Sequence, residues 1–444
     1  MPTIKRFPRS QTWRLGFFTG LGFAGYIAVH ALPGTGALRT LFLLFLVGAW
    51  LVNVRQQLDS PTVPWWKAPY DQAVLSFALL TAWLACATTW HMVNQGSGAG
   101  SEFIDNWGKV ILVSLLGASL ARRAVLTGER DQIIPLIFCG FFLHAIQTIA
   151  YVLYIRLSEG AWRFHDSALG NYGYVSPLVD AALAILLVDL IGRLRNGQRL
   201  LPLPAMGWGL AVCVTLTAML LLKAKASIVV AFALLLATAS CLLAKRSSLR
   251  RKLAMLLILL ASIPILLYGT YDRWQNLTPS VVAGLDINGN RAWLDSRQPL
   301  GEGIDESFYL RVAWAKVGID GIQTHPFGIG YGYEGFGQYV HEHYGVKQFV
   351  SSHSGWIDFA LANGLPGLIL LIMLFASLIW KGWRAYFLSG DSATLLLSSL
   401  TLVYALRTLI DGHVTASRVI NFALVAGFFW GVTQYASAAS VREK

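Results

Sequence analysis

Runs of about 20 apolar residues recur along the whole chain, separated by short clusters of Lys and Arg. Such a chain has few folding options. In hydrocarbon every backbone N–H and C=O must be paired within the protein, which leaves only helices or closed barrels. The runs are continuous, not alternating, so the expected spans are helices. Only 13% of the 444 residues are charged while 55% are hydrophobic, against a charged share of about 25% in soluble domains. The predicted fold class is therefore an all-α polytopic membrane protein of about 12 transmembrane helices with one large, partly helical outer loop.

The spans are expected at 13–32, 37–54, 71–93, 107–126, 132–156, 173–192, 203–222, 226–244, 253–270, 356–380, 392–412 and 417–437. With that count, the basic clusters all fall on one side. They include Lys5, Arg6 and Arg9, then Arg122 and Arg123, then Arg193 and Arg195, the 245–252 group, and Lys381 and Arg384. This is the positive-inside pattern, so the side is cytoplasmic and both termini are expected there, with the first span retained. The net charge of +12 thus reports topology and implies membrane lipid, not nucleic acid, as the surroundings. Cys86, Cys139, Cys213 and Cys241 all sit in apolar segments without a CxxC and read as small core residues. Three regions follow: 1–270 with spans one to nine, 271–355 as the loop domain with the candidate catalytic residues, and 356–444 with spans ten to twelve.

A loop of this length is more than a connection. Residues 304–323 (IDESFYLRVAWAKVGIDGIQ) are amphipathic at helical period, with Asp305 and Glu306 suited to a first turn. After His325-Pro326 come Gly328, Gly330 and Gly332, then a second short helix around 334–343. His353, in SSHSGW just ahead of a span, is placed to meet water at a membrane surface. Its imidazole is either a proton acceptor at neutral pH or an interfacial capping group. His341 and His343, two apart, fall on different helix faces, and no metal-ligand spacing occurs.

Arg311 is either a snorkelling side chain or a fixed guanidinium that grips phosphate oxygens. Lys223 and Lys225 interrupt an otherwise apolar run between spans seven and eight. That placement is costly unless the ammonium groups reach water or an anion. Arg156, Arg163 and His165 on a neighbouring outer loop enlarge the positive field. Cations plus a base on one membrane face suit a transferase with a polyprenyl-pyrophosphate donor. The cations would stabilise the leaving pyrophosphate, and the base would deprotonate an acceptor hydroxyl that attacks with inversion. No metal or other cofactor is expected. A transporter is the rival class, for which Asp180 and Asp189 in span six are the intramembrane carboxylates to consider.

Arg311 in YLRVAWAKV, the turn His325-Pro326-Phe327-Gly328-Ile329-Gly330 and His353 in SSHSGWIDFALANGLPG together resemble the O-antigen ligase/polymerase superfamily over about residues 205–435. The resemblance implies a GT-C-like membrane glycosyltransferase in a bacterial inner membrane, with its site facing the periplasm. It further implies an undecaprenyl-pyrophosphate-linked glycan as donor and, for a ligase, lipid A–core as acceptor. Polymerases of a lipid-linked chain and protein O-oligosaccharyltransferases are the other branches. In this chain Lys225 stands where the family usually has arginine, Ser354 where Asn is common, and Asn363 where an acidic residue often occurs.

Overall fold

The computed structural model describes residues 9–32, 34–57, 71–95, 103–160, 162, 166–167, 170–243, 276–295, 300–330, 335–347, 349, 351–412 and 416–442. It is a helical bundle with a small helical cap. The helices are α1 (Arg9–His30), α2 (Gly36–Gln57), α3 (Gln72–Gln95), α4 (Lys109–Thr127, preceded by one π turn), α5 (Arg130–Glu159), α6 (Tyr172–Asn196), α7 (Ala205–Leu222) and α8 (Lys225–Leu243). The cap carries α9 (Leu277–Leu285), α10 (Glu306–Thr324) and α11 (Gly335–Tyr344), and the bundle closes with α12 (Gly355–Ser389), α13 (Leu395–Ile410) and α14 (Ala416–Arg442). A two-residue hairpin, Asp166–Ser167 with Gly170–Asn171, precedes α6.

Among the described residues nine helices are long and apolar enough to cross a membrane. Of the other expected spans, the first corresponds to α1, whose apolar part is Leu15–His30, and the last to α14. The segment 253–270 lies outside the described residues, as do Arg163 and His165. The protein is thus an all-α polytopic membrane protein. Cys86, Cys139 and Cys213 lie on exposed faces, not in the core; Cys241 is buried.

Close backbone approach between α4 and α14 replaces large apolar contacts. A Cβ on Gly117 would meet the Leu424 carbonyl oxygen at 2.3 Å, and one on Gly427 would meet that of Ser114 at 2.4 Å. Small residues at four-residue spacing (Gly427 and Gly431) allow this in a medium where no hydrophobic force separates helix from lipid. Ion pairs pin the end of the bundle away from the cap. Lys381 bonds Asp71 and Gln434, and Asp189, fully buried, accepts from Arg193 Nε (2.6 Å) and from the Leu200 and Leu201 N–H groups (2.6 and 3.1 Å). Asp189 is therefore a structural group that closes the α6–α7 turn.

The cap has its own apolar core, in which Trp293, Tyr309, Val317, Phe336 and Val340 pack with Ala360 and Leu361 of α12. Tyr309 Oη accepts from the Trp293 N–H (3.1 Å) and donates to the Asn290 carbonyl (3.0 Å). What seats the cap is a break in α12. Pro366 cannot donate a backbone hydrogen bond, and its ring would clash with the carbonyl of Ala362, so the helix is interrupted just before it. Gly364 takes φ 75°, ψ 172° there. The freed carbonyls need partners. Leu361 O accepts from the Ile329 N–H (2.7 Å) and Asn363 O from Trp83 Nε1 (2.8 Å), while the Leu365 N–H donates to Pro326 O (2.8 Å). The His325–Gly330 turn therefore docks by backbone pairing into the interruption. A Cβ on Gly328 would sit 2.6 Å from the Ala362 carbonyl oxygen, which only glycine avoids at φ 92°.

Candidate functional site

Four elements meet where the cap sits on the bundle: the start of α8, α10, the approach to α12, and the end of α13. Asp305 caps α10 by accepting from the Phe308 N–H (2.9 Å), and its own N–H donates to Ser280 Oγ (2.8 Å). The same carboxylate oxygen takes Lys225 Nζ at 3.0 Å, and that ammonium lies 3.4 Å from the Phe308 ring centre. Lys225, at the first turn of α8, is thereby tied to the first turn of α10.

Two turns further along α10, Arg311 donates to Ser307 Oγ (2.9 Å) and lies 3.5 Å from an Asp411 oxygen at the end of α13. Arg311 Nε is buried without a hydrogen-bond partner. Asp411 in turn holds Arg407, one turn back, at 3.2 Å. Arg407 is 1% exposed; it bonds Ser176, and its Nε forms an ion pair with Asp180 at 3.0 Å. Asp180 lies against Ser227, two residues beyond Lys225. The chain of contacts therefore returns to α8: Lys225–Asp305 on one side, Arg311–Asp411–Arg407–Asp180–Ser227 on the other. With Arg418, which donates to Gly412 O (3.0 Å), four cations stand against three carboxylates. Asp180 is thus committed to a buried ion pair.

His353 arrives from the opposite direction. It has φ 58°, a left-handed conformation that a side chain disfavours. A lattice of short bonds imposes it. Asp358 accepts from Ser351 Oγ (2.6 Å) and the Ser352 N–H (2.8 Å), Ser351 Oγ accepts from the His353 N–H (3.0 Å), and Ser354 Oγ donates to Leu409 O (2.9 Å). The imidazole stacks on Trp314, centres 4.9 Å apart and planes at 14°, one turn along α10 from Arg311. The residue keeps an exposed edge, while the stacked ring loses much of its water. Lost hydration of the ring is the largest cause that lowers its pKa from the usual 6.5; Arg311 and Arg418 lower it further, and Asp411 opposes them. A lowered pKa favours the neutral imidazole, the form that can accept a proton.

Of the residues singled out in the sequence, the fold brings Arg311 and His353 together beside Asp411, and ties Lys225 to Asp305 at the start of the helix that carries Arg311. Lys223 ends α7 at φ 45°, half-buried, its N–H bonded to Met219 O and Leu220 O. Arg156 is exposed at the end of α5, bonded to Gly160 O and 5.4 Å over Trp162, and engages its own helix end, not this cluster. Asp411, Arg407 and Trp314 carry no role in the sequence reading, and Asp305 carries only that of opening a helix, which it does. The spacing Arg407-x-x-x-Asp411 at the end of an apolar helix was the available signal, since opposite charges four apart share a helix face. No three His, Cys, Asp or Glu among the described residues form a metal-binding group.

No curated protein matches the chain. Residues 209–372, which run from α7 through the cap into α12 and hold Lys225, Arg311 and His353, match the family model described as O-antigen ligase. Through that stretch, a little over a third of its length, this multi-pass membrane protein is similar to the O-antigen ligase family.

Proposed function

We propose that the protein is an O-antigen ligase, transferring a glycan from undecaprenyl pyrophosphate to lipid A–core at the periplasmic face of a bacterial inner membrane. The observation that carries the reading is the convergence of His353 and Arg311 beside one carboxylate, Asp411, at the seat of the cap. His353 takes the proton of the acceptor hydroxyl as that oxygen bonds to the sugar's anomeric carbon. The bond from that carbon to the pyrophosphate breaks on the opposite face, and its electron pair leaves with the phosphate. The anomeric centre inverts. Arg311 and Lys225 hold the pyrophosphate as its charge grows, an electrostatic role best served by donors fixed in advance. Asp411 stabilises the imidazolium that forms. Lys223, Arg156 and Arg163 supply the surrounding positive field that draws the donor to this face.

The test is a reconstituted assay with labelled lipid-linked glycan and purified lipid A–core. Inverted product and free undecaprenyl pyrophosphate should appear without nucleotide, and transfer should persist in EDTA. His353→Ala should lower it by about 10²–10⁴-fold; undiminished transfer in that variant would end the base assignment. Growth of the lipid-linked chain instead would identify a polymerase, and label on protein a protein O-oligosaccharyltransferase. Movement of intact donor between leaflets would identify a transporter.

A further inference from the structure

The break at Gly364 does more than seat the cap. Two hydrogen bonds tie α12 to α13: Ser398 Oγ donates to Ile379 O (2.7 Å), and Trp356 Nε1 donates to Thr408 Oγ (3.0 Å). Between these ties α13 rises about 15 Å, whereas α12 holds about 34 Å of helix, at 1.5 Å per residue. The break accommodates the excess. The stretch 355–363 turns aside and runs across the outer end of the bundle from α13 to α3, where Trp83 Nε1 donates to the Asn363 carbonyl.

That stretch lies at the outer edge of the hydrocarbon. The apolar span Ser392–Ile410 is about 28 Å long, against a layer of about 30 Å, so its last residue marks the outer boundary. Gly355 starts beside it, its N–H donating to Asp411 O (3.2 Å). At the other end of the stretch, Leu365 stands about 24 Å along α12 from the Lys381–Asp71 pair at the opposite face of the bundle. The 326–329 turn is stitched to this level. A Cβ on Gly364 would come within 2.5 Å of the Phe327 backbone, and the Leu365 N–H donates to Pro326 O.

Phe327 is 70% exposed there. It does not stand alone. Leu365, Ile369, Ile372 and Met373 form an exposed apolar stripe at helical spacing down the spanning part of α12, a surface that faces lipid. Phe327 extends this stripe at its outer end. The turn can rest against hydrocarbon because its polar groups are paired: Pro326 has no N–H, the Gly328 N–H donates to His325 O (2.9 Å) and the Ile329 N–H to Leu361 O. We infer that the cap is anchored in the membrane as well as on the bundle. The stretch 355–363 and the 326–329 turn lie in the outer interface, and the Phe327 ring packs among phospholipid acyl chains. This goes beyond the transfer reading and does not depend on it.

Photocross-linking of the full-length protein in phosphatidylethanolamine–phosphatidylglycerol vesicles tests it. Phe327, Ile369 on the stripe and Glu342 on the exposed face of α11 are each replaced in turn by p-benzoylphenylalanine, and the adducts formed on irradiation are weighed by mass spectrometry. Lipid adducts are expected at 327 in a yield like that at 369, with none at 342. A yield at 327 no higher than at 342 would overturn the inference, as would adducts confined to the protein's own chain or to a second copy. The anchoring has its own readout. Phe327→Ser should speed hydrogen exchange of the Ile329 and Leu365 amides about tenfold in vesicles, while Phe327→Leu should keep them near the parent. Parental exchange in the Ser variant would remove the anchor. Neither measurement uses donor, acceptor or turnover, so loss of the ligase reading would leave this inference standing.

Discussion

Asp358 never touches the imidazole, yet it should control turnover. His353 sits at φ 58°, and a side chain in that region costs about 1–2 kcal/mol. Two hydrogen bonds to the Asp358 carboxylate, from Ser351 Oγ at 2.6 Å and the Ser352 N–H at 2.8 Å, hold the loop in this shape. Bonds to a charged acceptor contribute about 1.5–3 kcal/mol each, so together they outweigh the strain. In Asp358→Leu both are lost and the strain is unopposed. The productive conformer should then become roughly five- to thirtyfold rarer, from RT ln of that ratio. Asp358→Asn retains an acceptor for the Ser352 N–H and a group that can donate to Ser351 Oγ, so it should recover most of the loss. The assay is single-turnover release of undecaprenyl pyrophosphate at saturating donor, with donor affinity measured separately. Parental turnover in the Leu variant, or a defect wholly in donor affinity, would refute the reasoning.

The pH profile offers a second check. Because the His353 pKa lies below its usual 6.5, transfer should rise with pH through a midpoint under that value. Arg311→Gln removes a lowering influence and should move the midpoint up; Asp411→Asn removes a raising one and should move it down. Arg407→Leu leaves Asp180 and Asp411 without their shared cation and should destabilise the protein by about 3–5 kcal/mol, read as a lowered thermal midpoint. Pairing it with Asp180→Leu should restore part of that loss. Gly427→Leu drives a side chain into the α4 backbone at Ser114 and should abolish recovery of folded protein, whereas Leu112→Ala, on an exposed face, should not.

Local pattern made much of the fold legible. Apolar length and helical period disclosed most of the bundle and two of the three cap helices, one of them found at Gly335–Tyr344 against an expected 334–343; the helix Leu277–Leu285 lies in a stretch whose Gly, Asn, Asp and Pro read as irregular. Lys225, Arg311 and His353 could be singled out because each stands in unusual company: two cations at apolar positions and an imidazole at the mouth of a span. Their partners could not. Asp305 meets Lys225 across 80 positions and Arg407 meets Ser176 across 231, and nothing in either neighbourhood encodes the other. Asp180 looked like a transport carboxylate because its counterion, Arg407, lies far along the chain. Asn363 looked like a missing acid, yet it serves the helix interruption: its carbonyl accepts from Trp83 Nε1 and its amide donates to Phe359 O. Trp314 reads as ordinary core in its helix, since a ring stacked on a distant histidine leaves no period in the sequence.

The interruption at Gly364 divides α12 mechanically. Its first two turns share the cap's apolar core and are stitched to the 326–329 turn, while the remainder belongs to the bundle. The approach to α12 is held from both sides of that division. Trp314 stacks on the His353 imidazole from the cap, while Ser354 Oγ donates to Leu409 O, the Gly355 N–H to Asp411 O and Trp356 Nε1 to Thr408 Oγ at the end of α13. The spacing of His353, Arg311 and Asp411 is therefore fixed by the seam between cap and bundle, and a change that loosens the seam should disturb all three together.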